Sequence, residues 1–379
     1  MDYALTSKRC SAFAKTLLAA ASLTAVLAGP ARAETLTDAL IGAFNHSGLL
    51  EQNRALLRAA DEDVAIAMSA LRPIINWSGS VARNFSRSAS QATGGRTTDT
   101  SNTAATIGIS ASLVLYDFGQ SRFAIEAAKE TVLSTRQRLI AVEQNVLLRA
   151  ISAFMNVRRA IEIVAVRQAN VRVITQELRA ARDRFDVGEV TRTDVALAEA
   201  RLASARSLLA SAEGDYLQAS EEYRAAVGRK PGRLSAPSGL PKTANSVDQA
   251  KAIAVRTHPE MKAAQHDVAA ADLNVARAEA AVNPTVSLSS GLSVTENFNS
   301  TSFQRGGNVS ITAKGPIYQG GRLSAVQRQA MARRDAARSG LHIVRHQIEQ
   351  NVGNAFAQLR VARASRDASE RQIRAARVA

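Results

Sequence analysis

From Gln120 to Val187 neither proline nor glycine interrupts the chain. A helix of that reach would extend roughly 100 Å at about 1.5 Å per residue, too far for one compact core to wrap. The run breaks at Gly188 and resumes as a second helical segment, Thr191 to Val227. There Val195, Ala198, Leu202, Ala205, Leu209, Ala212, Tyr216, Ala219, Tyr223 and Ala226 advance by alternating steps of three and four, the seam of a coiled coil. Every second seam position is alanine, which admits a close partner helix. Between the segments, Gly188 suits a left-handed helix stop, and Thr191-x-x-Asp194 forms a capping box before Val195. The short connection predicts an antiparallel helical hairpin.

A second pattern has period two. After a helical stretch over residues 36–71, softened at Asn45-His-Ser-Gly48 and ended by Pro73, Ile75, Trp77, Val81 and Phe85 fall on one face, with Asn76, Ser78, Ser80 and Asn84 on the other. A polar loop is predicted over about Arg87 to Asn102. The return strand alternates Ala105, Ile107, Ile109, Ala111, Leu113 and Leu115 with threonine, glycine and serine. Strands of this length with one apolar and one hydroxyl-rich face match tilted membrane-spanning strands whose other side meets water.

The chain then repeats itself. Ala250–Pro284 reads like Ala39–Pro73, and a second strand pair follows, with Val286, Leu288, Leu292 and Val294, then Val309, Ile311 and Ala313, on the apolar face. Tyr318 corresponds to Tyr116, and another proline-free helix follows it. The predicted organisation is a leader over 1–33, a first repeat over 34–228 (strand hairpin 74–116, helical hairpin 120–228), a proline- and glycine-rich linker over 229–248, and a second repeat over 249–379 with strand hairpin 285–318. The counterpart of the returning helix is absent from the second repeat, so the sequence reads as truncated at its C-terminal end.

Composition narrows the class. Lys8 and Arg9 precede an apolar run to Leu27, and Ala31-Arg-Ala33 offers a cleavage site before Glu34: a secretory leader. The single cysteine, Cys10, lies inside it, so disulfide and cysteine–metal frameworks are excluded from the exported chain. No later stretch is apolar enough for a membrane helix. The net charge of +15 is interleaved with carboxylates along helices and lacks stacking aromatics, so solvated helix faces explain it and nucleic acid is not the expected partner.

Four such strands cannot close a barrel, whose minimum is about eight, and open edges in hydrocarbon are forbidden. Several protomers must therefore share one. The order of parts, the junctions Tyr116-Asp117-Phe118-Gly119 and Tyr318-Gln-Gly320-Gly321, and above all Arg184-Phe-Asp-Val-Gly-Glu-Val-Thr-Arg-Thr-Asp-Val195 with its alanine-rich heptads resemble the TolC family of outer membrane efflux proteins. The resemblance implies an α+β membrane protein with an internal twofold repeat, in which long antiparallel helical hairpins form a periplasmic tunnel. Each protomer of a homotrimer would give four transmembrane strands to a shared β-barrel. It implies an outer-membrane location with a large periplasmic portion, and export of small toxic compounds or proteins. The implied partners are outer-membrane lipid, a periplasmic adaptor, and an inner-membrane efflux pump or ABC transporter.

In that family the tip turn docks the adaptor and helps close the tunnel. Gly188, Thr191, Arg192, Thr193 and Asp194 carry this expectation, Asp194 as helix cap and gate link together. The partner groups of that link belong to the missing second turn. Phe118 stands where the family has the first of two glycines. Tyr116, Phe118, Ile317 and Tyr318, with Trp77, are candidates for an aromatic girdle. Lys314 falls on the hydroxyl face and would bias a pore toward anions. His342 and His346 share a helix face and read as solvated surface, and the acidic run Asp61-Glu-Asp63 reads as exposed helix surface. No cofactor, metal site or catalytic constellation is expected, hence no enzyme. The rival readings are a periplasmic coiled-coil adaptor or scaffold, and a non-functional truncated channel fragment.

Overall fold

A computed structural model describes residues 33–89, 91, 94–95, 97–237, 239, 241–298 and 301–378. The leader expected over residues 1–33, with Cys10, lies outside the described residues apart from Ala33. In chain order the elements are α1 (Leu36–His46), α2 (Gly48–Ser69), β1 (Ile74–Ala89), β2 (Thr97–Tyr116), α3 (Gln120–Asp186), α4 (Arg192–Val227), α5 (Val247–Thr257), α6 (Pro259–Ala280), β3 (Thr285–Asn297), β4 (Phe303–Lys314) and α7 (Arg322–Val378). The chain divides into two compact units, residues 1–48 with 143–241, and residues 49–142 with 242–379, so that α3 contributes to both.

The first unit is built on the heptad seam. Leu202, Ala205, Ala212 and Tyr223 are buried, and the other six seam positions of α4 are half-buried. The core gathers Phe154 and Val157 of α3, Tyr223 and Val227 of α4, and Ala39 and Ala43 of α1, with the Phe154 and Tyr223 rings 6.5 Å apart. Alanine at alternate seam positions keeps the facing surfaces small, and the two aromatics fill the volume where α1 joins.

Glu34 secures this corner. Its carboxylate accepts hydrogen bonds from the Tyr223 hydroxyl (2.6 Å), the Arg229 guanidinium (2.6 and 2.9 Å) and the Gly232 amide (3.3 Å). Its backbone makes a parallel bridge to Leu234. The first part of the 229–248 linker is thus tied to the start of the described chain. Burial, then the Glu34 carboxylate, raise the Tyr223 phenol above its ordinary pKa. One residue on, Thr35 caps α1 through a reciprocal box with Asp38.

In the second unit α3 meets α6 through a polar clasp. The fully buried Ser134 donates to Asp267 (2.7 Å), which also accepts from Arg138 (2.6 Å); Glu130 pairs with His266 at 2.7 Å. Burying that hydroxyl is tolerable because its hydrogen is donated to a carboxylate. Around it the buried positions are largely alanine, such as Ala127, Ala263, Ala270 and Ala278.

The strands form one antiparallel sheet in the order β1-β2-β3-β4. The polar loop expected over Arg87 to Asn102 is mostly strand, because β1 runs on to Ala89 and β2 begins at Thr97. Hydroxyl-bearing and β-branched residues extend the ladder there. The Ser86 and Thr100 hydroxyls bond at 2.7 Å, and Arg87 donates to both carboxylate oxygens of Asp99 through Nε and Nη2.

Gly228 ends α4 in the left-handed region (φ +88°), and a Cβ there would lie 2.5 Å from Cγ of His46. Gly228→Ala is expected to lower the thermal midpoint. The backbone alone costs about 1–2 kcal/mol, and the clash adds to it. On a His46→Ala background the same substitution should cost less, because the ring contacts at 2.5 and 2.8 Å are gone, but still more than the backbone part, because Cβ of residue 46 stays 2.9 Å away. Thermal unfolding of the four proteins, followed by circular dichroism, measures both quantities.

Candidate functional site: the two-faced sheet, its junctions and the helix tip

The pairing register sorts the sheet into two chemistries. On one face Trp77 lies opposite Ile109, which lies opposite Leu292; beside that row, Ile107 faces Val294, and Leu113, Leu288 and Ile311 align. On the other face Asn76, Ser110 and Asn308 share a row, as do Ser80, Thr106 and Thr295. The apolar face is bare: Ile75, Trp77, Val81, Ile107, Leu292, Val309 and Ile311 are each more than half exposed. An uncovered apolar surface of this extent marks contact with another apolar phase. From Ala313 to Phe303 along β4 it spans about 25 Å once strand tilt is allowed for, the height of a barrel's lipid-facing band.

The polar face satisfies itself across strands. Thr106 bonds Thr295 at 2.9 Å, Ser289 bonds Ser310 at 2.8 Å, and Asn102 donates to Asn297 at 2.9 Å. Lys314 stands on this face opposite Thr285. β1 and β4 are the outer strands, so each presents one unpaired margin within the sheet.

The two junctions repeat the same backbone. Phe118 and Gly119 take φ +55° and +88°, and Gly320 and Gly321 take +58° and +82°. Phe118 is the one described residue other than glycine with positive φ. The cost of that conformation is offset by its ring, which meets Tyr116 edge-on at 4.7 Å. Asp117 accepts the Gly119 amide (3.1 Å) and the Ser121 amide (2.7 Å), capping α3. Ile317 and Tyr318 are almost fully exposed. Trp77 does not join them: its partner Ile109 lies well up β2 from Tyr116, within the apolar band.

At the other candidate site, α3 ends in a Schellman turn. The Gly188 amide bonds the Phe185 carbonyl (3.0 Å) and the Glu189 amide bonds that of Arg184 (2.9 Å), with Gly188 at φ +83°. The capping box follows. The Asp194 carboxylate accepts from the Thr191 amide (2.9 Å) and hydroxyl (2.8 Å), and the Asp194 amide donates to the Thr191 hydroxyl (3.4 Å). The backbone bond from Thr191, then its hydroxyl, hold the Asp194 carboxyl below the ordinary range. Arg192 and Thr193 are exposed, as is Val187 at 72%. His342 and His346 are exposed on α7.

Sequence reasoning missed two arginine–aromatic pairs on the apolar face. The Arg83 guanidinium lies 5.1 Å from the centroid of Phe85, and that of Arg305 lies 5.2 Å from Phe303. The available signal was an arginine two places from a phenylalanine, in the same alternation that carries Ile75, Trp77 and Val81 on β1 and Val309 and Ile311 on β4.

Because Phe118 combines a strained backbone with a ring contact, its substitutions should separate the two. Phe118→Ala keeps the strain and loses a contact of about 0.5–1.5 kcal/mol. Phe118→Gly loses the contact and relieves about 1–2 kcal/mol. The glycine variant is expected at or slightly above the parent in thermal stability, and the alanine variant below it.

The family model described as outer membrane efflux protein matches residues 43–229 and 253–379. The outer membrane efflux protein BepC of Brucella suis is 39% identical over 370 residues, 96% of this chain and 79% of that protein. Protein CyaE of Bordetella pertussis is 29% identical over 356 residues, 89% of this chain and 72% of that protein. Among solved structures, the outer membrane protein VceC of Vibrio cholerae superposes with a TM-score of 0.73 at 19% identity, covering 89% of this chain and 81% of that one. A bare apolar band, a self-satisfied polar face and long coiled-coil helices are the parts of such a protein, and the chain belongs to the outer membrane efflux protein family, whose members are outer-membrane channels.

Proposed function

We propose that three copies of this chain assemble one conduit, in which a four-stranded sheet from each joins a common barrel and the long helices wall its periplasmic part. The carrying observation is the sheet itself: two chemically opposite faces, the apolar one uncovered, and two free margins. In hydrocarbon each unpaired backbone group costs several kcal/mol, so β1 and β4 need the matching margins of sister copies. The conduit exports small toxic compounds or proteins, and energy comes from an inner-membrane pump or ABC transporter reached through a periplasmic adaptor.

The tip residues Gly188, Thr191, Arg192, Thr193 and Asp194 form the adaptor-docking end, with Asp194 also linking the closed state. Exposed Val187 and Phe185 beside the turn support docking, since a rigid, capped tip presents them without an ordering cost. Tyr116, Phe118 and Tyr318, with Ile317, form the girdle at the inner edge of the barrel, where Asp117, Gly119, Gly320 and Gly321 turn strand into helix.

Apart from Cys10 the sequence has no cysteine, so single replacements report cleanly. Cysteines at Ile109 and Val309 are expected to react with a membrane-soluble maleimide and resist a charged one. Cysteines at Ser110 and Asn308 should show the reverse. Equal reaction of both sets with the charged reagent would sink the barrel.

Val187→Asp is expected to weaken adaptor binding about tenfold, equivalent to about 1.4 kcal/mol, while heat-modifiable gel mobility of the assembled channel stays as in the parent. Co-purification with the adaptor measures the first and electrophoresis the second.

A further inference from the structure

The two arginine–phenylalanine pairs share a direction. Arg83 and Arg305 both stand on the apolar face, in register with Thr103 and Val294. Each guanidinium lies over the ring of the residue two places nearer the hairpin end of the sheet, Phe85 for Arg83 and Phe303 for Arg305. That end is the one remote from the strand–helix junctions. Among the described residues neither arginine is ion-paired. Long cationic side chains on a lipid-facing surface reach toward the nearest polar layer, and both reach toward the same one.

Below Arg305 the sheet carries a groove of about 460 Å³ lined by Ile107, Ile109, Leu292 and Val294, with Arg305 among its walls. Its lining is apolar side chain and strand backbone. The combination fits an acyl chain in the groove with its phosphate at the guanidinium. Glu296 lies on the same face, in the row of Phe303, and is the one carboxylate near Arg305 there. Arg87 is already neutralised by Asp99. The free positive charge is therefore that of Arg83 and Arg305.

These two arginines sit on β1 and β4, the two margins of the sheet. We propose that, where β4 of one copy meets β1 of the next, Arg305 and Arg83 of the partner subunit form a binding site for a phosphorylated, multiply acylated glycolipid of the outer leaflet. The proposal rests on the shared-barrel reading above. Its chemistry is specific: planar guanidiniums pair bidentately with phosphate, the phenylalanines hold them in place, and the groove takes one chain. A lipid seated across the seam would also tie neighbouring copies together.

The test uses the full chain purified in nonionic detergent, with assembly checked first by heat-modifiable mobility. Native mass spectrometry then measures binding of bisphosphorylated lipid A, the same glycolipid with its phosphates removed, and phosphatidylglycerol. The parent is expected to retain the bisphosphorylated lipid most strongly. Arg83→Gln and Arg305→Gln should each reduce retention about fivefold, and Arg305→Lys should recover part of it. Assembled protein that binds all three lipids alike, or a double variant that retains lipid as the parent does, overturns the site and leaves the barrel standing. Failure to assemble a barrel overturns both.

Discussion

A β-strand margin cannot be left open in hydrocarbon, and everything else in this chain follows from having two. Four strands give too little circumference to close on themselves, and their inner residues are already committed: the apolar face to lipid, the hydroxyl face to water. A soluble protein with the same sheet would cover its apolar face with a helix. Here the helices pack on each other through alanine seams, and Trp77, Val81 and Val309 stay bare. Lipid covers that face, and sister copies are the remaining source of pairing for β1 and β4.

Much of this was legible along the chain because the two periods are clean. The alternation of apolar and hydroxyl residues set the faces, and the pairing register keeps them separate from Ile75 to Ile311. All ten seam positions predicted on the second long helix are buried or half-buried, since a three-four spacing leaves little choice of inner face. The tip was legible for a different reason: Gly188 and Thr191-x-x-Asp194 act within a few residues, and local chemistry decides local structure.

What stayed hidden depends on distance or on context. The ties between Glu34 and Tyr223, Arg229 and Gly232 join residues far apart in the chain, and no periodicity announces them. The strand ends beyond Arg87 look like loop by composition, yet cross-strand hydroxyl bonds and the Arg87–Asp99 pair extend the ladder. Phe118 is the sharpest case. A phenylalanine is a poor candidate for positive φ, and only its alignment with Gly320 reveals that the junction demands one. The repeat has kept the backbone conformation while changing the residue, which places the constraint in the turn from strand to helix and not in the glycine.

The polar face bears on how such a conduit passes solutes. Conduction needs a lining that neither repels a solute nor holds it. Hydroxyl and amide groups on this face bond to one another, as Thr106 to Thr295 and Ser289 to Ser310, so part of their capacity is spent before a solute arrives. The strongest charge pairing in the sheet, Arg87 with Asp99, is on the opposite face, and so are Arg83 and Arg305. Lys314 alone, near the junction end, breaks the neutrality of the described polar ladder. Sorting charge outward and mutually satisfied polar groups inward makes the wall wet and weakly binding, which suits a passage that relies on a partner for direction and energy.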